Sequence, residues 1–365
     1  MRGILVHSLM ARGVSFDDAY ATANQVREGL RGHDTISTEE LAKAVVDALG
    51  GEPFAEEPRS GLVDILVEGE GSGHPFSKGI LSQSLLASAL DPNEAFDVAR
   101  EIERELVERD VRRIERRDLR RLTYEALRRE SGAKTAERYL VWRRYQEGDR
   151  PVIILLGGAT GVGKTSLALE VAHRLGIGRV LSTDSIRQIM RIMLSPDLAP
   201  ALHTSSYDAW RHLPPESLGD DPAIEGFRSQ ASTVCVGVRG SMDRAVAENA
   251  SLVLDGVSIV PGLLDLESYR EKADVFALVV ATLEEETLRE RFASRALAAH
   301  DRPVHRYLEN LGTILRVQDH FLELADRYDV PIVNNVSFDR SVLFIIRYVT
   351  ETLRKCGDFD AKDLL

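Results

Sequence analysis

Residues 152–165, with the sequence VIILLGGATGVGKT, decide the fold of this chain. The first five residues are an apolar run of strand length, and the rest contain the pattern G-x-x-x-x-G-K-T from Gly158 to Thr165. A helical pattern follows directly, in residues 166–172. A strand, this glycine-rich loop and a helix in that order are the context of a phosphate-binding P-loop. The stretch therefore predicts a nucleotide-binding α/β domain.

The P-loop predicts the ATP site. Its small residues let backbone N–H groups surround the β-phosphate, and the N-terminus of the following helix adds positive potential. We expect Lys164 to bridge the β- and γ-phosphates during catalysis and the Thr165 hydroxyl to bind Mg²⁺. The predicted ATP-binding residues are Gly158, Ala159, Thr160, Gly161, Val162, Gly163, Lys164, Thr165 and Ser166. ATP and Mg²⁺ are thus the predicted cofactors.

A second ligand for Mg²⁺ is predicted at Asp255. This residue ends the apolar run 251–254, which is the position of the metal-holding carboxylate in P-loop proteins. An aspartate that closes a strand is also a common turn residue, but the P-loop upstream favours the metal role. We therefore predict a metal site formed by Thr165 and Asp255.

The chain after residue 149 alternates apolar runs of strand length with helical patterns. This alternation predicts an α/β P-loop NTPase kinase domain over residues 149–365, with a parallel sheet and helices on both faces. The predicted strands are residues 152–156, 179–182, 251–254, 275–280 and 331–333, and residues 342–349 are predicted as a closing helix.

The sequence before the kinase domain predicts mainly α-helical modules. Ser15 and Ser37 are predicted N-caps of two helices in the first module. The predicted divisions are residues 1–50 as the first module, 51–60 as a linker, and 61–148 as the second module, which opens with a short strand at 62–67.

The two modules are similar to each other in sequence. Segment 3–9 matches segment 79–85, and Ala19-Tyr20 matches Ala95-Phe96 at the same offset. A weaker match, which needs an insertion, pairs Ile36 and Leu41 with Ile114 and Leu119. Internal similarity of this kind predicts a tandem module.

Composition restricts the partners. The chain has 365 residues and a formal net charge of −12, from 46 Lys and Arg against 58 Asp and Glu, which argues against nucleic-acid binding. The arginine pairs between residues 112 and 129 alternate with acidic residues, so a solvated helix face is favoured over a basic patch. The apolar run before the P-loop is too short to cross a membrane. With Cys235 and Cys356 as the only cysteines, we expect a reducing, cytoplasmic setting.

The segment Ser182-Thr183-Asp184-Ser185-Ile186-Arg187 supplies the chemistry for a phosphoryl acceptor. It follows the second predicted strand, and strand C-termini line the ligand crevice of parallel sheets. We expect Asp184 to accept the proton of an acceptor hydroxyl and Arg187 to bind an anionic substrate. The alternative is that Asp184 only caps a helix beginning at Ser185. A GTPase is not favoured, because the sequence contains no Asn-Lys-x-Asp segment.

Two further regions supply candidate site residues. A helical stretch interrupted by Pro303 contains several arginines and suits a mobile lid over ATP, and we select Arg291 and Arg295 as its catalytic residues. A long insertion between the second and third strands carries the hydroxyl, imidazole and aromatic groups that suit a small polar substrate. Its candidate substrate-binding residues are His203, Ser205, Ser206 and Tyr207. A packed helical hairpin over the sheet edge is the alternative for this insertion.

Together these residues resemble the 2-phosphoglycerate kinase family. The matching segments are residues 157–165, 183–187, 203–207 with Trp210, 255–257, 260–262 and 306–310. Segment 75–81 is similar to the ATP-cone module that precedes the kinase domain in that family. The resemblance implies phosphoryl transfer from ATP to the 3-hydroxyl of 2-phosphoglycerate, giving 2,3-bisphosphoglycerate and ADP.

Two other functions stay open at this point. One is a P-loop kinase of another metabolite or of a sugar nucleotide, similar to zeta toxins; the insertion at 203–210 favours phosphoglycerate over it. The other is a catalytically silent nucleotide-sensing regulator, against which the intact Lys164, Asp184 and Asp255 argue. The predicted partner is a small phosphorylated acid. For the helical modules, homo-oligomerisation and regulatory ATP binding are both left open.

Overall fold

The computed structural model describes residues 16–30, 38–48, 65–69, 73–214, 219–298, 304–357, 359 and 361. The chain divides into two compact units, Met1–Asp64 and Ile65–Leu365. The predicted N-caps Ser15 and Ser37 and the predicted linker 51–60 lie outside the described residues.

In the first unit, residues 16–30 and 38–48 are described, and they form the helices α1 (Phe16–Gly29) and α2 (Thr38–Ala48). Ala23 and Val26 of α1 are buried, and apolar residues of α2 pack against them. Burial of one apolar face of each helix is what stabilises such a short pair, because isolated helices of this length are marginal in water.

The matched residues of the predicted repeat lie on helices in both units. Ala19 lies on α1, and the matching Ala95 lies on α4 of the second unit (Pro92–Glu108). Likewise Leu41 lies on α2, and Leu119 lies on α5 (Arg116–Glu130). The tandem module stays a prediction.

The second unit opens with a small α+β module. Its elements are β1 (Leu66–Glu68), β2 (His74–Pro75), α3 (Lys78–Leu85), α4, β3 (Arg113–Glu115), α5 and α6 (Ala133–Gln146). Strand β1 is central, antiparallel to β2 and parallel to β3. Helix α4 starts at a complete capping box. The Asp91 side chain accepts a hydrogen bond from the backbone of Glu94, and the Glu94 carboxylate accepts one from the Asp91 N–H. Pro92 occupies the first turn.

The arginine pairs of this module are divided between two elements. Arg113 begins β3 and Arg112 directly precedes it, so the predicted helix face is wrong for them, whereas the pairs from Arg116 onward lie on α5. Arg112, Arg113 and Arg129 are exposed and form ion pairs with Asp110, Glu68 and Glu130, respectively. Exposed pairs of this kind stabilise a fold by about 0.2–1 kcal/mol at most, so they contribute solubility more than stability.

The kinase domain is built on a five-stranded parallel sheet with the order β5–β6–β4–β7–β8. The strands are β4 (Val152–Gly157), β5 (Val180–Ser182), β6 (Leu252–Gly256), β7 (Asp274–Ala281) and β8 (Ile332–Asn334). Each of the five predicted strands is present, with ends within two residues of the prediction. The predicted α/β fold class is confirmed.

Helices cover both faces of this sheet. They are α7 (Lys164–Leu175), α8 (Thr183–Met193), α9 (Pro222–Ala247), α10 (Glu285–Ala298), α11 (Val304–Glu309), α12 (Leu311–Arg327) and α13 (Phe338–Cys356). Ile154 and Leu156 of β4 join a core with α7, α12 and α13, whereas Ile153 and Leu155 join a second core with α9. The predicted closing helix lies within α13.

The ATP-cone-like module and the kinase domain share one hydrophobic core. Val141 and Trp142 of α6 belong to the same buried cluster as α7 and α13. The Trp142 indole N–H donates to the carbonyl of Leu175, the last residue of α7, at 2.9 Å, and the amide of Gln146 donates to the same carbonyl at 3.2 Å. The division predicted between residues 148 and 149 therefore lies inside the second compact unit.

The long insertion contains two short 3₁₀ helices, Pro200–His203 and Ala209–His212, before α9. Both pack against α9 through contacts such as that of Trp210 with Gly226. A β-carbon added at Gly226 would lie 2.2 Å from the Trp210 backbone.

Within the part of the chain that the structure describes, none of the helices has the length and apolar composition that a membrane span requires.

Candidate active site

The P-loop connects β4 to α7 at the carboxyl end of the sheet. Gly161 has φ of 94°, and a β-carbon there would lie 2.5 Å from the Phe292 ring. An alanine would thus meet both backbone strain and a steric clash with a fully buried ring. Glycine at this position lets the loop pass close to α10.

Lys164 is the first residue of α7 and is largely buried. Its Nζ donates to the Ala159 carbonyl at 2.6 Å, so the side chain folds back along the P-loop. This geometry holds the ammonium group against the backbone of the P-loop, where it can donate hydrogen bonds to a bound phosphate.

Asp255 lies at the end of β6, directly beside β4 in the sheet. Its Oδ2 accepts a hydrogen bond of 2.7 Å from the Thr165 hydroxyl, and its side chain is buried. Burial raises the pKa of the Asp255 carboxyl, while the Thr165 hydrogen bond and the Lys164 charge oppose that rise. Among the described residues, Asp255 Oδ1 has no hydrogen-bond partner.

These groups fit a magnesium ion. A buried carboxylate with one oxygen unpartnered, next to a P-loop hydroxyl, is a donor set that a cation would complete. Mg²⁺ is usually held by one or two carboxylates together with substrate phosphates and several waters. Accordingly, the described residues contain no cluster of three or more His, Cys, Asp or Glu side chains that could hold a metal by themselves.

Asp184 lies in the first turn of α8 and does not cap that helix. The cap is Ser182, whose hydroxyl accepts from the Ser185 N–H at 3.1 Å. The alternative in which Asp184 only caps a helix beginning at Ser185 is therefore wrong. The Asp184 side chain is 72% exposed and is paired with Arg187 at 3.3 Å. Its carboxylate is thus open to a substrate.

Arg187 connects the acceptor helix to the insertion. Its guanidinium donates to the Thr204 carbonyl at 2.5 Å as well as to Asp184. Gln230 of α9 donates to the same carbonyl at 3.1 Å. Residues of α8, α9 and the insertion are thereby held together at one side of the crevice.

The predicted substrate residues of the insertion have different surroundings. His203 Nε2 donates to the Leu194 carbonyl at 2.8 Å, which requires the proton on that nitrogen. Tyr207 is buried and its ring packs edge-on against Tyr307, whereas Ser206 is buried and Ser205 is partly exposed. His203 and Tyr207 thus hold the insertion in place, and His203 and Ser205 are partly exposed to solvent.

Of the two arginines predicted to act in the lid, Arg291 has a described side chain and Arg295 does not. Arg291 donates to the Val162 carbonyl and to the Thr282 hydroxyl, each at 3.0 Å, and also to the Asn335 carbonyl. It therefore braces the outer side of the P-loop. Arg295 lies on α10, and its side chain is outside the described part of the chain.

Comparison with known proteins decides the family. Residues 66–147 match the model of the ATP cone domain. The 2-phosphoglycerate kinase of Pyrococcus horikoshii is 35% identical over 290 residues, which are 80% of this chain and 94% of that protein. Those of Methanococcus vannielii (40% identity; 79% and 92% covered) and Methanopyrus kandleri (38%; 77% and 85%) are similar. The chain belongs to the 2-phosphoglycerate kinase family. The predicted resemblance is confirmed.

Two residues near the P-loop of this 2-phosphoglycerate kinase family member were not predicted from the sequence. The Asn335 amide donates to the Val162 carbonyl at 2.8 Å, beside Arg291. The Gln318 amide both accepts from the Thr282 N–H and donates to the Thr282 carbonyl. Asn335 follows an apolar strand directly, as Asp255 ends one, so its position in sequence was a usable signal. Gln318 lies within a helix and offered none.

An aromatic stack joins the insertion to the P-loop. Tyr307 of α11 stacks on Phe292 of α10, with ring centroids 5.1 Å apart and planes 4° apart, and it also meets the Tyr207 ring edge-on, with centroids 6.2 Å apart. Phe292 in turn packs against Gly161. In this member of the 2-phosphoglycerate kinase family the acceptor side and the nucleotide side are therefore in continuous contact through three rings.

Proposed function

We propose that this chain phosphorylates 2-phosphoglycerate with ATP, giving 2,3-bisphosphoglycerate and ADP. The observation that carries the proposal is the exposed Asp184 carboxylate, paired with Arg187 at the same sheet edge as the P-loop and Asp255. Membership in the 2-phosphoglycerate kinase family supports the choice of acceptor.

The P-loop and the acceptor helix divide the work. Backbone N–H groups of residues 158–166 and Lys164 hold the β- and γ-phosphates of ATP. Arg187 binds the anionic groups of the acceptor, which would compete with Asp184 for the guanidinium. The acceptor hydroxyl then lies near Asp184, and proximity of this kind removes most of the entropic cost of a bimolecular reaction.

In the transfer step, Asp184 is the general base. The acceptor oxygen bonds to the γ-phosphorus, the bond from that phosphorus to the bridging β-oxygen breaks, and ADP leaves with the electron pair. Asp184 takes the hydroxyl proton. Thr165 and Asp255 would hold Mg²⁺, which when bound supplies charge neutralisation for the phosphates. Arg291 keeps the P-loop in place, and Arg295 is proposed to neutralise the transferring group.

The matching experiment compares acceptors and variants. ATP consumption is measured with 2-phosphoglycerate, with other phosphorylated three-carbon acids and with sugar nucleotides. Asp184→Asn keeps the size of the side chain but cannot take a proton. We therefore expect kcat to fall by about 10²- to 10⁴-fold, while the affinity for ATP stays unchanged. Asp319→Asn, an exposed aspartate on α12, is the matched control and should retain full activity. Equal turnover by the wild type and Asp184→Asn would refute the general-base role of Asp184. Turnover of a sugar nucleotide but not of 2-phosphoglycerate would refute the proposed acceptor.

A second function, nucleotide sensing in the ATP-cone module, is favoured by one observation. A cavity of about 390 Å³ lies between β2, α3, α5 and α6, and Arg116, Arg120 and Arg143 line it. Arg120 and Arg143 both bond Glu147, so an anionic ligand would have to displace that carboxylate. We expect ATP binding to survive in part in Lys164→Met, which removes the P-loop contact, and to be lost when Arg120→Met is added. Arg129→Met, outside the cavity, is the control.

A further inference from the structure

Two buried oxygens without partners lie at the ends of neighbouring strands. They are Asp255 Oδ1 and Thr183 Oγ1, and neither has a hydrogen-bond partner among the residues that the structure describes. Their residues are 2% and 1% exposed. Asp255 was assigned above to the magnesium site, whereas no role follows for Thr183 from the mechanism proposed so far.

The backbone places Thr183 beside that site. Ser182, the last residue of β5, is paired with Asp255 in the sheet, so Thr183 follows opposite Gly256. Thr183 is also the first residue of α8, but it does not cap the helix, because Ser182 fills that role. The Thr183 hydroxyl is therefore not used by the local structure.

Gly256 keeps space for this hydroxyl. A β-carbon at Gly256 would lie 1.7 Å from Thr183 Oγ1, and the Gly256 φ of 152° is one that other residues rarely adopt. The hydroxyl thus rests directly over the backbone of the residue that follows the magnesium carboxylate. A valine would fill the same volume without burying an unpartnered polar atom, so packing alone does not account for a threonine.

We infer that Thr183 is a third side chain of the magnesium site, with its hydroxyl bonding the hydration shell of the cation next to Asp255 Oδ1. The inference rests on the proposed function, since it needs Mg²⁺ bound with the nucleotide. Mg²⁺ keeps several waters when it is bound, and these waters donate hydrogen bonds, which the Thr183 oxygen can accept. Residues in this outer position change metal affinity by about 10- to 100-fold when they are replaced. Thr183 is a positioning residue in this scheme.

Binding, without turnover, tests the inference. ADP affinity is measured by calorimetry with Mg²⁺ and with EDTA for the wild type, Thr183→Val, Thr183→Ala and Thr183→Ser. Binding to Lys164→Met is subtracted, so that only the P-loop site is counted. We expect Mg²⁺ to tighten ADP binding to the wild type, and this gain to fall about tenfold in the Val and Ala variants. The Ser variant retains the hydroxyl and should keep the gain, and metal-free affinity should be equal in all four.

The outcomes separate this inference from the proposed function. If Mg²⁺ does not affect ADP binding to the wild type, the magnesium part of the proposed function fails. If Mg²⁺ acts on the wild type and acts equally on Thr183→Ala, only the role of Thr183 is overturned. Loss of metal-free binding in Thr183→Val would indicate altered packing, and the smaller Ala variant then decides. A Ser variant that behaves as Ala does would also overturn the inference, because the hydroxyl would not be the active group.

Discussion

At the scale of single residues, the active site depends on a few side chains and on glycines that make room for them. Lys164 bonds the Ala159 carbonyl and Thr165 bonds Asp255, while Arg291 and Asn335 brace the loop from outside. These contacts fix the loop before a nucleotide arrives, which lowers the reorganisation needed for binding. Changes at this scale should therefore alter affinity for ATP as well as turnover.

The Gly161→Ala change should weaken ATP binding. The new methyl group would collide with Phe292 at a backbone angle that favours glycine. Strain of this kind costs about 1–3 kcal/mol, which corresponds to a loss of affinity of roughly 5- to 150-fold if it is relieved by moving the loop. Calorimetry with ADP measures the loss. Gly312→Ala, where a β-carbon would meet no atom within 4 Å, is the control, and equal weakening in both variants would contradict the account.

The two cysteines should differ sharply in reactivity. Cys235 is buried, its thiol donates to the Ser258 carbonyl, and burial raises its pKa to about 12, whereas Cys356 is exposed. Because the thiolate is the nucleophile, Cys235 should stay unmodified at pH 8 while Cys356 is alkylated. Mass spectrometry after iodoacetamide treatment should find one label on the folded chain and two after unfolding. A folded Cys356→Ser variant that is labelled at the rate of the wild type would refute the assignment.

The sequence predicted those site residues that belong to a local motif. It did not predict residues whose role depends on a contact with a distant part of the chain. The P-loop pattern located Lys164 and Thr165, because its spacing is set by local backbone geometry. Thr183 was not selected, since its significance depends on Gly256, which is 73 positions later in the numbering. Asp184 was weighed as a helix cap because helix starts are uncertain from sequence, and the cap proved to be Ser182.

At the scale of elements, the strands were predictable and the packing between helices was not. Parallel strands that are buried on both faces have continuous apolar sequences, and β4 is buried along its whole length. Helix α7 shows the opposite case. Its C-terminal carbonyls are bonded by Trp142, Gln146 and Gln83 of the ATP-cone module, which no local pattern indicates.

The Trp142→Phe change tests the join between α6 and α7. Phenylalanine retains most of the packing but loses the indole N–H that donates to the buried Leu175 carbonyl. Loss of such a bond costs about 0.5–1.5 kcal/mol, and leaving a buried carbonyl partly unsatisfied adds to it. Urea unfolding should show the lower stability. Trp210→Phe alters the other tryptophan of the chain, for which no indole hydrogen bond is described, and it is the matched control. Equal effects in the two variants would show that the bond to α7 does not matter.

At the scale of the whole molecule, the ATP-cone module is part of the kinase core in the second compact unit. Ala87, Ala89, Val141 and Trp142 join the cluster that holds α7 and α13, and two ion pairs, Arg138–Glu351 and Arg354–Glu137, flank it. A change at the cone cavity therefore has a packed route to the P-loop helix through α3 and α6. Composition alone could not show this, because a shared core depends on which apolar faces meet.

The central claim is the identity of the reaction, and product analysis tests it most directly. The full-length protein is incubated with ATP, Mg²⁺ and 2-phosphoglycerate, and the phosphorylated products are followed by phosphorus NMR. We expect 2,3-bisphosphoglycerate and ADP in equal amounts, with no inorganic phosphate while acceptor remains. ADP that forms with inorganic phosphate but without the bisphosphate, or no consumption of 2-phosphoglycerate at all, would contradict it.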